Sequence, residues 1–170
     1  MKPLKHPDSL HLQAALGWLE LGNHIEANEE LEQIRPQLRV HPDVLEVRWQ
    51  IYSIAKKWEA CIDIAQALIK LAPNRLESWL HRSYSLHELK RTEEAHDLLL
   101  PAIEKFPDVW DIPYNLACYT AQLGRIGESE RWFKMAMTLD EKSVQQTAID
   151  DPDLLPLWES RSGSNWKREQ

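Results

Sequence analysis

Residues 76–109, LESWLHRSYSLHELKRTEEAHDLLLPAIEKFPDV, decide how the chain is read. Apolar residues recur at helical spacing up to Leu89, the pair Lys90-Arg91 interrupts them, and Glu93-Glu94 opens a second run that Lys105 closes. Acids at the start of a helix and bases at its end suit the helix dipole. Pro107 ends the second run, and Pro101 inside it removes one backbone hydrogen bond, so a bend is expected there. The stretch therefore reads as two antiparallel helices of about 14 residues joined by a tight turn.

Sliding this stretch along the chain in steps of 34 keeps its register. Ala27, Cys61, Ala95 and Ser129 are all small, and Leu31, Ala65, Leu99 and Phe133 follow at the same spacing. Ile34, Leu68, Ala102 and Ala136 make a third column. Leu21, Ala55, Leu89 and Leu123 each stand just before a turn, and Pro73 and Pro107 each close a run. A period between 20 and 50 residues marks stacked supersecondary units. The windows are Asp8–His41, Pro42–Arg75, Leu76–Val109 and Trp110–Ser143, after a lead of residues 1–7. No strand-like alternation appears, so the chain is read as all-α. Beyond Ser143 the period stops. Leu154, Leu157 and Trp158 share one face, and Val144–Ser160 is expected to cap the open end of the array, with Arg161–Gln170 as a polar tail.

The small residue at the helix crossing, the aromatic or Leu four residues on, the Ala three further and the closing Pro resemble the tetratricopeptide repeat. The third window fits best, through Trp79, Leu86, Ala95, Leu99, Ala102 and Pro107, and the fourth follows through Leu116, Ala117, Leu123, Gly124, Phe133 and Ala136. The second departs with Arg48 and Trp49, and the first carries His11 where Trp is usual and lacks the terminal Pro. The resemblance implies an α-solenoid of antiparallel helix pairs, a right-handed superhelix of about four 34-residue repeats. It also implies that first helices line a concave groove holding a peptide or helix.

Composition removes other functions. The 170 residues carry 20 Lys and Arg against 27 Asp and Glu, a net charge of −7. A nucleic-acid binder usually shows a basic face instead. The five glycines make no GxG, so neither a phosphate loop nor a dinucleotide fingerprint is present. Met1–Gln13 lacks the apolar core of a secretory leader and no stretch approaches 18 apolar residues, so a cytoplasmic protein without membrane contact is expected. Seven histidines contain no pair spaced i, i+4, and two cysteines make no zinc site alone. Cys61 falls in the small crossing column and is expected to be buried. Cys118 has no base and orienting group that spacing can supply. His24 reads as a solvated turn residue. No catalytic constellation, metal site or cofactor site assembles, and the chain is read as non-enzymatic. Trp18, Trp49, Trp58, Trp79 and Trp132 take packing positions, whereas Trp110 and Trp166 are candidates for exposed anchors.

Carried onto this sequence, the resemblance places six positions of each first helix on the groove. They are Ser9, Leu12, Gln13, Leu16, Leu19 and Glu20 in the first window, and Asp43, Glu46, Val47, Gln50, Ser53 and Ile54 in the second. The third supplies Glu77, Leu80, His81, Tyr84, His87 and Glu88, and the fourth Asp111, Tyr114, Asn115, Cys118, Ala121 and Gln122. Six of these are acids and none is Lys or Arg. Family members that clamp a terminal carboxylate use Lys, Asn and Arg. Here the equivalent places hold Leu12, Leu16, Val47, Glu77 and His81, or one window later Glu46, Gln50, His81, Asp111 and Asn115, so an acidic tail is a poor ligand. The expected partner is a protein segment that is basic and amphipathic, steered by the acids and anchored on the apolar floor. A homodimer through Leu12, Leu16 and Leu19 is the alternative.

Overall fold

The computed structural model describes residues 3–160. Among them there are helices and turns and no strand. The chain divides into two compact units, Met1–Glu88 and Leu89–Gln170.

Unit 1 holds α1 (Asp8–Glu20), α2 (His24–Gln33), a 3-10 turn at Pro36–Leu38, α3 (Pro42–Ile54), α4 (Trp58–Leu71) and α5 (Leu76–Glu88). Unit 2 holds α6 (Thr92–Leu99), α7 (Ala102–Lys105), α8 (Asp111–Gln122), α9 (Ile126–Leu139), α10 (Glu141–Ala148), a 3-10 turn at Pro152–Leu154 and α11 (Leu155–Ser160). α2, α4, α6 and α9 start at residues 24, 58, 92 and 126, one period apart, and α1, α3 and α5 start at 8, 42 and 76. Pro42 starts α3 and Pro113 lies in the first turn of α8, where the missing N–H costs nothing. Pro101 separates α6 from α7 rather than bending one continuous helix. α10 begins at Glu141, ahead of the window's end at Ser143, because the Asp140 carboxylate caps the Ser143 amide at 3.0 Å. His24 is not a loop residue: the Asn23 side chain accepts from the Glu26 amide, so α2 starts at His24.

The turns repeat as the helices do. Gly22, Lys56, Lys90 and Gly124 all have positive φ, at 76°, 53°, 63° and 73°. In the first turn the Gly22 amide donates to Leu19 and the Asn23 amide to Trp18. Lys56 and Lys57 donate likewise to Ser53 and Tyr52, and Gly124 and Arg125 to Ala121 and Thr120. This double bond, closed through one left-handed residue, ends a helix and reverses the chain.

The crossing column is sealed: Ala27, Cys61, Ala95 and Ser129 are fully buried. In the second hairpin the Cys61 thiol lies 3.8 Å from the Trp49 carbonyl. In the fourth, the Ser129 hydroxyl donates to Ala117 at 2.8 Å. Both set a small donor against the carbonyl 12 residues earlier, on the first helix of the same pair. Burial pushes the Cys61 thiol up to about 11, so it packs as a neutral group. The core of unit 1 gathers Ala15, Leu31, Ile34, Val44 and Ile51 in one cluster and Leu45, Trp49, Ala65 and Leu68 in a second. Each buried Leu or Ile contributes roughly 1.5–3 kcal/mol relative to exposure. The Asp8 carboxylate is itself buried and pairs with both the backbone amide and the guanidinium of Arg35, which ties the start of α1 to the end of α2.

Candidate functional site

In unit 1 the first helices α1, α3 and α5 are successive neighbours, so their outward stripes make one face. Leu16, Ile54 and Tyr84 lie open on it at 39%, 51% and 42% exposure, with Glu20 and Glu77 also exposed. Leu12, Glu46, Gln50, Leu80, His81 and Glu88 are half-buried there. His81 ties the face together. Its Nε2 is 2.5 Å from a Glu46 carboxylate oxygen, and its ring lies flat on Trp49, with centroids 3.5 Å apart and planes within 5°. Tyr84 is held edge-on against Trp58 at 5.7 Å. Asp43 pairs with Arg75 and lies 3.5 Å from His41, so that acid is committed within the fold.

Val47 differs from the reading of it as groove floor. It is 3% exposed and belongs to the first core cluster, because this side of α3 packs onto α1 and α2. Of the stripe Leu12, Leu16 and Leu19, the two outer residues pack against the same cluster, which leaves Leu16 the exposed member. His87 is also buried. Trp49 packs, as its position predicts, and it is in addition the platform under His81. The signal for that second role is its departure from the small residue usual at that place.

Unit 2 treats its stripe differently. Tyr114, expected on an open floor, is 4% exposed, and Cys118 and Ala121 are buried with it. The Tyr114 hydroxyl donates to an Asp151 carboxylate oxygen at 2.6 Å, the Cys118 thiol approaches the same oxygen at 3.6 Å, and the Gln122 amide donates to the Asp153 carbonyl at 3.0 Å. Burial first, and the Asp151 carboxylate second, push the Tyr114 phenol and the Cys118 thiol upward, so both stay protonated. Asn115 turns back onto the Asp111 carbonyl at 2.7 Å. Burial raises the Asp111 carboxyl, with Asp140 nearby adding repulsion. Trp110 stands at the start of α8, half-buried and edge-on to Tyr114 at 5.6 Å; Trp166 lies outside the described residues, as does the tail from Arg161.

The fold is tetratricopeptide-like. Solved structures agree with it at the level of the fold. The chain is similar to MamA residues 41-end from Desulfovibrio magneticus RS-1, with a TM-score of 0.71 at 15% identity over 96% of this chain and 99% of that one. It is similar to a thermophilic tetratricopeptide-repeat protein of Thermus thermophilus, at 0.72 and 17%, over 91% and 83%. A further MamA structure gives 0.73 at 15%, over 82% and 81%. At such identities the likeness concerns the fold. No protein-family model and no curated protein matches the chain.

The tetratricopeptide-like fold of unit 1 also carries a cavity of about 330 Å³ at its turn edge, lined by His24, Ile25, Asn28, Glu29, Ile51, Tyr52, Ala55 and Lys57. None of the stripe residues lines it. Among the described residues no group of three or more His, Cys, Asp or Glu is placed to hold a metal ion, and no helix is long and apolar enough to cross a membrane.

Proposed function

We propose that the chain is a non-enzymatic interaction scaffold that binds a basic, amphipathic protein segment on the α1–α3–α5 face of unit 1. One observation carries the reading: this stripe pairs exposed apolar groups with carboxylates and includes no Lys or Arg. Leu16, Ile54, Leu80 and Tyr84 are the anchoring surface, and Glu20, Glu77 and Glu88 supply the field. Acids near a helix C-terminus work against the dipole, so Glu20 and Glu88 are not explained by helix stability. Glu46 is engaged with His81 and acts on the partner through that pair. Apolar burial sets the affinity, since exposed ion pairs contribute about 0–1 kcal/mol each. Charge acts on the association rate and its salt dependence.

Selection from a random peptide library on the immobilised full chain tests this. The expected consensus spaces apolar residues at helical intervals among Lys and Arg, and its association slows and loses its salt dependence on Glu20→Lys with Glu77→Lys. An acidic consensus, or a basic one indifferent to these substitutions, would overturn the reading.

A further inference from the structure

Residues 151–158 read Asp-Pro-Asp-Leu-Leu-Pro-Leu-Trp, and they lie against α8 and α9. Their polar partners are Tyr114, Cys118 and Gln122, which stand at i, i+4 and i+8 and so share one face of α8. One, two and three periods earlier the same places hold Leu80, Tyr84 and Glu88, then Glu46, Gln50 and Ile54, then Leu12, Leu16 and Glu20. The segment therefore follows the stripe that elsewhere stays open. In these three contacts the donors belong to α8 and the acceptors to the segment. Beyond the acidic turn come the anchors. Leu154 and Leu157 are fully buried, and Trp158 meets Phe133 edge-on at 5.1 Å.

The seat is joined to α10 through Ile149 and Asp150, both exposed. Pro152 and Pro156 donate no backbone hydrogen bond, and α11 is six residues long, so the segment adds no full helix to the stack. It is held the way a short peptide is held, by side-chain donors reading a carboxylate and by a few apolar anchors.

We propose that the α8 stripe is a peptide site occupied in the resting chain by residues 151–158, and that it takes a partner segment of the same pattern. That pattern is an Asp-Pro turn with apolar residues three, six and seven positions after the Asp. The Tyr114 phenol and the Cys118 thiol select the carboxylate of the turn, the Gln122 amide holds its main chain at the Asp153 carbonyl, and the pocket beside Phe133 selects the final aromatic. The partner here is acidic, whereas the α1–α3–α5 face is assigned a basic one. The two assignments concern different surfaces and stand or fall separately.

A tethered segment competes at an effective concentration in the millimolar range, so an external copy meets a filled site. The test uses the full chain and a fluorescein-labelled peptide of residues 149–160. The unaltered protein should bind it weakly. Asp151→Ala with Trp158→Ala, both in the resident segment, should tighten binding at least ten-fold, and adding Tyr114→Phe and Gln122→Ala should abolish the gain. Equal binding by the unaltered and loosened chains, or none by either, would overturn the proposal. Hydrogen exchange on the unaltered chain gives a second reading that no substitution can disturb. Amides of Leu154, Leu155, Leu157 and Trp158 should exchange through an opening that leaves α8 and α9 protected, and equal protection would make the segment an inseparable part of the core, overturning the proposal. A concentration-dependent dimer that grows with loosening would place a second copy's segment in the site and overturn the assignment of an external partner.

Discussion

His81 on α5 joins Glu46 on α3 through a 2.5 Å contact while its ring lies flat on Trp49, so three side chains fasten two neighbouring first helices across the candidate face. Such a stacked pair is worth about 0.5–1.5 kcal/mol beyond its burial. His81→Phe keeps the stack and loses the ring nitrogen, whereas His81→Ala loses both. Thermal melts should rank unaltered protein above His81→Phe and that above His81→Ala, with the last lowered by roughly 2–4 °C. A double-mutant cycle should show coupling between Glu46→Ala and either His81→Phe or His81→Ala, because both remove the ring nitrogen that meets Glu46. Additive effects throughout would show that the contact contributes nothing.

The four left-handed turn residues give a prediction of opposite signs. A side chain in this conformation costs roughly 1–2 kcal/mol that glycine avoids. Lys56→Gly and Lys90→Gly should therefore raise stability by about 0.5–1 kcal/mol each, after the flexibility glycine adds to the unfolded chain. Gly22→Ala and Gly124→Ala should lower it by about 1 kcal/mol. A Cβ at either glycine meets nothing within 4 Å, so the whole loss would be backbone strain. Chemical denaturation reads both, and a destabilised Lys56→Gly would show that the turn does not strain its side chain.

Acid stability should depend on Asp8. Its hydrogen bonds to Arg35, followed by the Arg35 charge, hold its carboxyl below the usual carboxylate range. A depressed folded-state value gives stability that is present above the unfolded-state value, near 4, and is lost as pH falls through the folded one. Asp140 acts in the same direction through the Ser143 amide and hydroxyl. Asp8→Asn should lower stability at neutral pH and flatten its decline below about pH 4, in denaturation curves collected from neutral to strongly acid pH. An unchanged decline would mean the pair does not report on folding.

The crossing in the fourth hairpin can be probed at Ser129, fully buried with its hydroxyl on the Ala117 carbonyl. Ser129→Ala should cost about 1 kcal/mol, the net worth of one hydrogen bond. Ser129→Leu should cost about 1–3 kcal/mol by overpacking a sealed joint. A melt in which the leucine is tolerated better than the alanine would move the crossing elsewhere.

The repeat plan is legible in the sequence because its signals are local. Small residues at 27, 61, 95 and 129 and turns at 22, 56, 90 and 124 recur at one spacing, and each sits where the backbone needs it. Lys56 and Lys90 take the left-handed position although neither is glycine; around Lys56 the two backbone bonds that close the turn are those found at Gly22 and Gly124. Val47 and Tyr114 depart from the sequence reading for a shared reason. A helical slot says which way a residue points, but not which other segment arrives to cover it. Val47 is covered where α3 packs onto the first hairpin, and Tyr114 by a turn 37 residues downstream. The acids of Asp150–Asp153 have the pattern of a solvated break and instead carry the carboxylate that Tyr114 grips.

Attraction of a cationic, amphipathic segment to the α1–α3–α5 face can be read directly by an amide-resolved NMR titration. The full chain is titrated with a designed helical peptide of Leu and Lys, beside the same peptide with Glu replacing Lys. The Lys peptide should shift resonances of Leu16, Glu20, Ile54, Glu77 and Tyr84. Its association should slow as salt rises from about 50 to about 200 mM, which shortens the Debye length from roughly 14 to roughly 7 Å. Glu20→Lys with Glu77→Lys should remove that dependence. Shifts confined to other surfaces, or tighter binding of the Glu peptide to this face, would show that the face does not select a basic partner.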